Sequence, residues 1–331
     1  MSNPNEQDKA LTDLIISRED EVTPKVLNAM ADTDDARLKE LMTSLVRHVH
    51  AFIREARPTE AEFEYGLRWI TRLGQLTDES HNETVLAADI FGISTLIDLI
   101  NNDGMQGETM SALLGPFYRG ESPECVFGES IARSDTPGVE LYIKGRVLEL
   151  DGSPVEGATL DIWQASPKGL YENQDPDQAD YNLRGIQKTG ADGRFEFHSI
   201  RPAGYPVPTF GPAGDLLKAQ NRRPFRPAHV HFIVSAPERK TLITQIFTDT
   251  DEAMAADVVF GAKKQICGNL VEHTEPHPDY PNAKLPFFTC EYDFILKPGT
   301  PSFPIPPISG KAKAADQAAG DAPVEEALQD V

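Results

Sequence analysis

Two histidines stand at positions i and i+2 in Arg226-Pro227-Ala228-His229-Val230-His231-Phe232-Ile233-Val234, a run rich in the β-branched and aromatic residues that favour a strand. Side chains two apart on a strand leave the same face, so both imidazoles reach one point in space. Such a pair holds a metal from a sheet. Imidazoles serve zinc, copper, nickel and iron alike, so the remaining donors must decide the ion.

Two tyrosines upstream occupy loops that fix their backbone: Tyr171 in Lys168-Gly169-Leu170-Tyr171-Glu172-Asn173, and Tyr205 in Arg201-Pro202-Ala203-Gly204-Tyr205-Pro206-Val207-Pro208. Glycine and proline restrict where each phenol points, which a side chain aimed at a shared target needs. Taken singly, either reads as an ordinary half-buried tyrosine. His48, His50, His81, His198, His273 and His277 fit no ligand pattern, and His48-Val49-His50 lies in a helical stretch where residues two apart diverge. Trp163 reads as a core residue, and the acids around Asp249 and Asp251 as a solvated loop.

The elements that must position these groups follow from periodicity. Leu38, Leu41, Met42, Leu45, Val49, Phe52 and Ile53 recur at helical spacing between Asp34 and Ala56. Thr59-Glu60-Ala61-Glu62 is a capping box that opens a second helix, and one further helical stretch is predicted from Glu83 to Ile100. After Pro123 the texture changes to short alternating runs parted by Gly, Pro, Asp and Asn. Residues 141–150 lead through the turn Asp151-Gly152-Ser153-Pro154 to a returning strand at Thr159-Leu160-Asp161-Ile162-Trp163-Gln164-Ala165. The runs 194–200, 229–234, 241–247 and 287–296 continue the pattern, which predicts a β-sandwich. The expected class is α+β, mainly β: a helical region over 1–122, a sandwich over 123–300 and a tail over 301–331. That tail opens with four prolines in seven residues, and its last twenty or so residues have too few large apolar side chains to offset ordering entropy.

Composition narrows the partners. The chain has 331 residues and a net charge of −21, which argues against nucleic acid or an anionic membrane as partner, since both need a basic surface. No apolar run approaches the roughly 18 residues of a membrane span. Cys125, Cys267 and Cys290 are widely spaced and odd in number, which fits a reducing, cytoplasmic setting.

Four segments, in order, resemble the intradiol ring-cleavage dioxygenases: Asp161-Ile162-Trp163-Gln164-Ala165 with Gly169-Leu170-Tyr171, Pro202-Ala203-Gly204-Tyr205, Arg226-Pro227-Ala228-His229-Val230-His231-Phe232, and Thr244-Gln245-Ile246. The resemblance covers roughly Phe63 to Leu296. It implies one non-haem Fe(III) per subunit, held by Tyr171, Tyr205, His229 and His231. A ferric ion is charged enough to make phenolate ligands of tyrosines at neutral pH. Tyr205 would accept a proton from the incoming diol, Arg226 would stabilise carbanion character on the ring, and Gln245 would stand near the same site. Their bland alternatives are a surface salt-bridge arginine and a polar residue on an exposed strand face.

Residues 85–98, Leu113-Leu114-Gly115-Pro116-Phe117-Tyr118 and Asp257-Val258-Val259-Phe260-Gly261 resemble the hydroxyquinol 1,2-dioxygenase branch of that family. The implied substrates are hydroxyquinol (1,2,4-trihydroxybenzene) and O2, and the product is 3-hydroxy-cis,cis-muconate, the enol form of maleylacetate. The implied pocket is Leu86, Asp89, Leu113, Leu114, Gly115, Pro116, Phe117, Val207, Pro208 and Val259. Asp89 sits in an apolar helical stretch; it would either cap a neighbouring amide or accept a hydrogen bond from the third hydroxyl. The resemblance also implies a homodimer through the N-terminal helices, with an apolar tunnel that often holds a phospholipid. Competing expectations are catechol or chlorocatechol as substrate, a non-catalytic sandwich module, and a zinc hydrolase built on His229 and His231.

Overall fold

A computed structural model describes residues 15–311 except 103 and 105. The mobile tail expected over the last twenty residues lies outside the described residues. Two compact units emerge, residues 15–68 and residues 69–311.

The first unit contains α1 (Glu19–Ala29), α2 (Ala36–Ala56) and the start of α3 (Glu60–Gln75). The Asp35 carboxylate caps α2 by accepting from the amides of Arg37 and Leu38. At α3 the capping box forms as its residue types require: the Thr59 amide donates to Glu62 at 2.7 Å, and the Glu62 amide donates to the Thr59 hydroxyl at 3.3 Å. Thr23 bonds both His50 and Arg54, tying α1 to α2. Along α2 the side chains of Leu38, Leu41, Leu45, Val49 and Phe52 remain exposed.

In the second unit the single helix expected from Glu83 to Ile100 is two, α4 (Glu83–Ile90) and α5 (Ile93–Asn101). The break is Gly92, whose φ of 71° lies in the left-handed region that ends a helix. One sheet is built around β1 (Glu140–Glu149). It pairs antiparallel with β4 (Arg194–Ile200) on one edge, and parallel with β10 (Phe287–Glu291) and then β11 (Phe294–Leu296) on the other; β9 (Leu270–His273) extends it beyond β10. The second sheet is antiparallel throughout, in the order β3 (Arg184–Lys188), β2 (Thr159–Gln164), β7 (His229–Ser235), β8 (Leu242–Phe247).

The strand after the Asp151 turn therefore does not return along β1, as expected from sequence, but crosses into the facing sheet. Pro154, which lacks an amide donor, limits the hairpin to one bridge with Leu148. Between the sheets lies the main core, with Leu141, Ile143 and Val147 on one side and Leu160, Ile162, Val230, Phe232, Val234 and Ile246 on the other. Outside the two sheets lie a two-residue ribbon of β5 (Tyr205–Pro206) and β6 (Phe225–Arg226) and the short helices α6 (Pro212–Ala219) and α7 (Asp251–Ala255). The sequence pattern gave no sign of α6, because Pro212 and Gly214 resemble a loop; proline is nonetheless well suited to a first helical turn.

Candidate active site

Strand β7 is buried along its whole length. Its even residues enter the sandwich core, which forces His229, His231 and Ile233 onto the opposite face. On that face the register aligns Trp163, His231 and Gln245 across three strands, and His229 beside Phe247. The loops carrying Tyr171 and Tyr205 fold over this row.

Four donor atoms converge there. The Tyr171 Oη lies 3.1 Å from the Tyr205 Oη, 2.9 Å from the His231 Nε2 and 3.4 Å from the His229 Nε2, and the two Nε2 atoms are 3.0 Å apart. His229 donates Nδ1–H to the Pro227 carbonyl at 2.7 Å, which leaves a lone pair on Nε2 facing the cluster. Burial and Arg226 push the pKa of His229 well below the usual imidazole range, and burial and His229 do the same to His231. Burial raises both phenols, Tyr171 most. Uncharged nitrogens aimed at one another and at two phenol oxygens fit a cation: donors about 2 Å from one shared ion stand about 3 Å apart. The mixture of hard oxygen and imidazole nitrogen suits iron. Among the described residues no group of three His, Cys, Asp or Glu could hold a metal, so the histidine pair lacks the third ligand that a zinc hydrolase would need.

Arg226 is neither at the surface nor solvated. Its Nε and Nη2 donate to the Asp257 carboxylate at 3.1 and 3.3 Å, Nη2 donates to the Gln245 Oε1 at 3.0 Å, and Nη1 lies 3.2 Å from the His229 Nε2. Burial opposes its charge, but Asp257 and the phenols hold the guanidinium more firmly protonated than usual. Gln245, fully buried, donates onward to the Leu113 carbonyl at 2.7 Å, so the exposed-strand alternative does not hold.

Leu86, Leu113, Val207 and Val259 share one buried cluster, with Ile90 and Leu217. Phe117 and Leu114 pack instead with Tyr171, Tyr205 and Trp163; Phe117 stacks on Tyr171 at 4.7 Å. Pro116 is buried. Gly115, at φ 77°, lies beside the His231 ring, where a Cβ would stand at ordinary contact distance, 3.5 Å, but the left-handed backbone favours glycine. Pro208 is half-buried, and no described contact links it to the donor cluster. Asp89 is 1% exposed and caps no backbone amide, so the capping alternative is not realised; its only hydrogen-bonding neighbour among the described residues is the Ser94 side chain, too loosely placed to satisfy either carboxylate oxygen by strict geometry. Burial, only partly offset by Ser94 and Arg226, raises its pKa to about 6.

Other residues around the cluster were not evident from sequence. Asp257, 31 positions from its partner, also accepts from the amides of Gly261 and Ala262, so one carboxylate fixes both Arg226 and the segment after Val259. Glu172 accepts from Arg119 at 2.5 Å and Arg184 at 2.6 Å, while Arg184 donates to the Phe117 carbonyl and Asn173; this buried network clamps the Tyr171 loop to the Phe117 segment. Trp163 is core, but its ring also lies parallel to His231, 4.6 Å away and 8° from coplanar. Tyr118 packs against the other ring neighbourhood of Trp163 and donates to Asp161 at 3.1 Å. Asp249 is not merely solvated: it accepts from the Ala228 amide ahead of His229.

A family model described as "Dioxygenase" matches residues 114–298, and one described as "Catechol dioxygenase N terminus" matches residues 35–109. A curated hydroxyquinol 1,2-dioxygenase from Rhizobium sp. is 40% identical over 274 residues, 82% of this chain and 92% of that relative. The chain belongs to the intradiol ring-cleavage dioxygenases. That family uses non-haem iron. A catechol 1,2-dioxygenase from Candida albicans is also 40% identical to this dioxygenase, over 74% of this chain and 82% of its own, so identity alone does not choose the diol. Among solved structures, hydroxyquinol 1,2-dioxygenase from Pseudomonas putida superposes with a TM-score of 0.77 at 36% identity, covering 85% of this chain and 99% of that one. Catechol 1,2-dioxygenase from Acinetobacter radioresistens gives 0.77 at 26%, covering 89% and 99%. The α+β architecture expected from sequence is the one found.

Proposed function

We propose that this dioxygenase cleaves hydroxyquinol between its two adjacent hydroxylated carbons, adding both atoms of O2 to give 3-hydroxy-cis,cis-muconate. Asp89 carries this reading. A carboxylate buried on the apolar face of α4, with only a loosely placed Ser94 side chain to bond it and near enough to Arg226 and Asp257 to feel their charges, is costly unless a ligand hydroxyl completes it. The third hydroxyl of a trihydroxybenzene does so; catechol leaves the acceptor unpaired, at about 1–3 kcal/mol.

In this reading Tyr171, Tyr205, His229 and His231 hold one Fe(III) per subunit, which when bound activates the diol toward oxygen. The Tyr205 Oη, beside Arg226 and Tyr171, accepts a proton from a substrate hydroxyl. Arg226, immobilised by Asp257 and Gln245, presents a fixed positive charge that stabilises electron density on the ring during attack. Gln245 orients that charge and steadies Leu113 in the pocket wall. Leu86, Leu113, Val207 and Val259 exclude water on one side, and Phe117 on the other. Leu114, Gly115, Pro116 and Pro208 complete the proposed lining.

The reading extends to a cytoplasmic homodimer. Leu38, Leu41, Leu45, Val49 and Phe52 leave an exposed apolar stripe along α2, which a partner helix or a phospholipid chain would cover. Sedimentation showing a monomer at micromolar concentration would remove that part. The activity is tested by turnover of hydroxyquinol and catechol with metal analysis. Hydroxyquinol should be preferred, and the isolated protein should contain iron and be coloured by tyrosinate. Tyr171→Phe should lose the colour; equal or faster catechol turnover would overturn the substrate assignment.

A further inference from the structure

The matched family regions end at residue 298, yet the chain continues along segments that lead into the site. Prolines 301, 304, 306 and 307 pre-set an extended backbone with little entropy left to lose. At its start the Ser302 amide donates to the Thr241 hydroxyl at 3.0 Å. Pro306 then packs against Gly120, which follows the Phe117 segment. Ile308 is buried at 2% exposure, although its neighbours Ile305 and Ser309 are exposed.

Around that anchor the backbone bonds the segment leading into α4. The amides of Ser309 and Gly310 both donate to the Glu79 carbonyl, at 2.9 and 2.7 Å, and the Asn82 side-chain amide donates to the Pro307 carbonyl at 3.1 Å. Asn82 is also the cap of α4, its Oδ1 accepting from the Val85 amide at 2.9 Å. Beyond them the Lys311 ammonium donates to the Gln178 carbonyl in the loop that begins at Tyr171. The same two segments meet directly where the buried Asn173 donates to the Ser80 carbonyl.

We infer that residues 301–311 are a positioning strap, which holds the start of α4, and with it Leu86 and Asp89, in register with the Tyr171 loop and so sets discrimination between substrates. Residues 79–82 form no helix or strand; Asp78 turns them locally by accepting from the amides of Ser80 and His81. Three strap hydrogen bonds and the Ile308 anchor add a tie from that turn to the C-terminal segment. The inference rests on the hydroxyquinol reading only for which substrate is favoured; the mechanical coupling stands apart from it.

Asn82→Asp separates the strap from the helix cap, because a carboxylate still caps α4 but repels the Pro307 carbonyl. Ile308→Ala removes the anchor, and Ile308→Val should retain it. In the full-length iron-loaded enzyme, hydrogen exchange of residues 79–90 and 171–178 should rise about three- to tenfold in the first two variants and stay near wild type in the third. The ratio of kcat/KM for hydroxyquinol over catechol should fall by a similar factor through KM, with the tyrosinate colour unchanged. Unaltered exchange in both disrupted variants, or a wild-type preference for hydroxyquinol that survives faster exchange, would overturn the strap. Faster exchange in a protein whose wild type shows no such preference would support the coupling and refute the substrate reading instead.

Discussion

Replacing Asp89 by Asn should make the protein more stable and less selective. In the unfolded chain an aspartate ionises near 3.8, whereas burial raises Asp89 to about 6 in the fold. Between those values the unfolded chain releases a proton that the native state retains, so native stability falls as pH rises through the window and is constant above it. A rise from 3.8 to about 6 corresponds to about 3 kcal/mol lost by pH 7. Asn, close in shape and always neutral, escapes this loss, so the variant should match wild type near pH 4 and exceed it by about 3 kcal/mol at pH 7 to 8. Urea unfolding of both proteins across that range measures the difference directly. The same substitution removes the acceptor proposed for the third hydroxyl, and the preference for hydroxyquinol over catechol should fall about ten- to a hundredfold. A stability difference that does not vary with pH would refute the buried-carboxylate argument. A full gain in stability with unchanged selectivity would leave the carboxylate without its proposed ligand.

Asp257→Asn should destabilise the fold by about 3–5 kcal/mol, because Arg226 stays buried with its charge unpaired; denaturant midpoints check this, and a loss under 1 kcal/mol would show the pair to be dispensable. Trp163→Leu removes the ring parallel to His231, whose Nδ1 has no hydrogen-bond partner to fix its orientation. Iron retention during dialysis against chelator should fall about 10- to 100-fold, as for other lost supports of a metal ligand, while Trp163→Phe should recover part of it.

That His229 and His231 share one face was legible because strand periodicity is local: two residues apart means one face, whatever the rest of the chain does. The capping box at Thr59 and Glu62 was legible for the same reason, since both partners lie within one turn. Asp257 was not, because nothing within its own neighbourhood announces an arginine 31 residues earlier; the pairing exists only once β7, β8 and the loop after α7 have assembled. Glu172, Arg184 and Arg119 were hidden likewise, as charged residues usually belong at the surface and their burial is a tertiary fact. The break at Gly92 was visible in principle, but continuous apolar spacing from Leu86 to Ile100 outweighed a single glycine. Crossing of the chain from β1 to β2 escaped because a turn motif specifies a reversal, not which sheet receives the next strand.

The double burial of β7 binds two kinds of fitness into one seven-residue stretch. Alternate positions answer to different judges, the sandwich interior and the donor cluster, and neither can be retuned without the other being heard. Inserting or deleting one residue before His229 would exchange the two sets, sending imidazoles into the hydrocarbon core and Val230 and Phe232 to the donor cluster. Correct pairing of this strand and assembly of the reactive centre are thus a single event. A chain that reaches the right fold has no separate way to misplace its histidines.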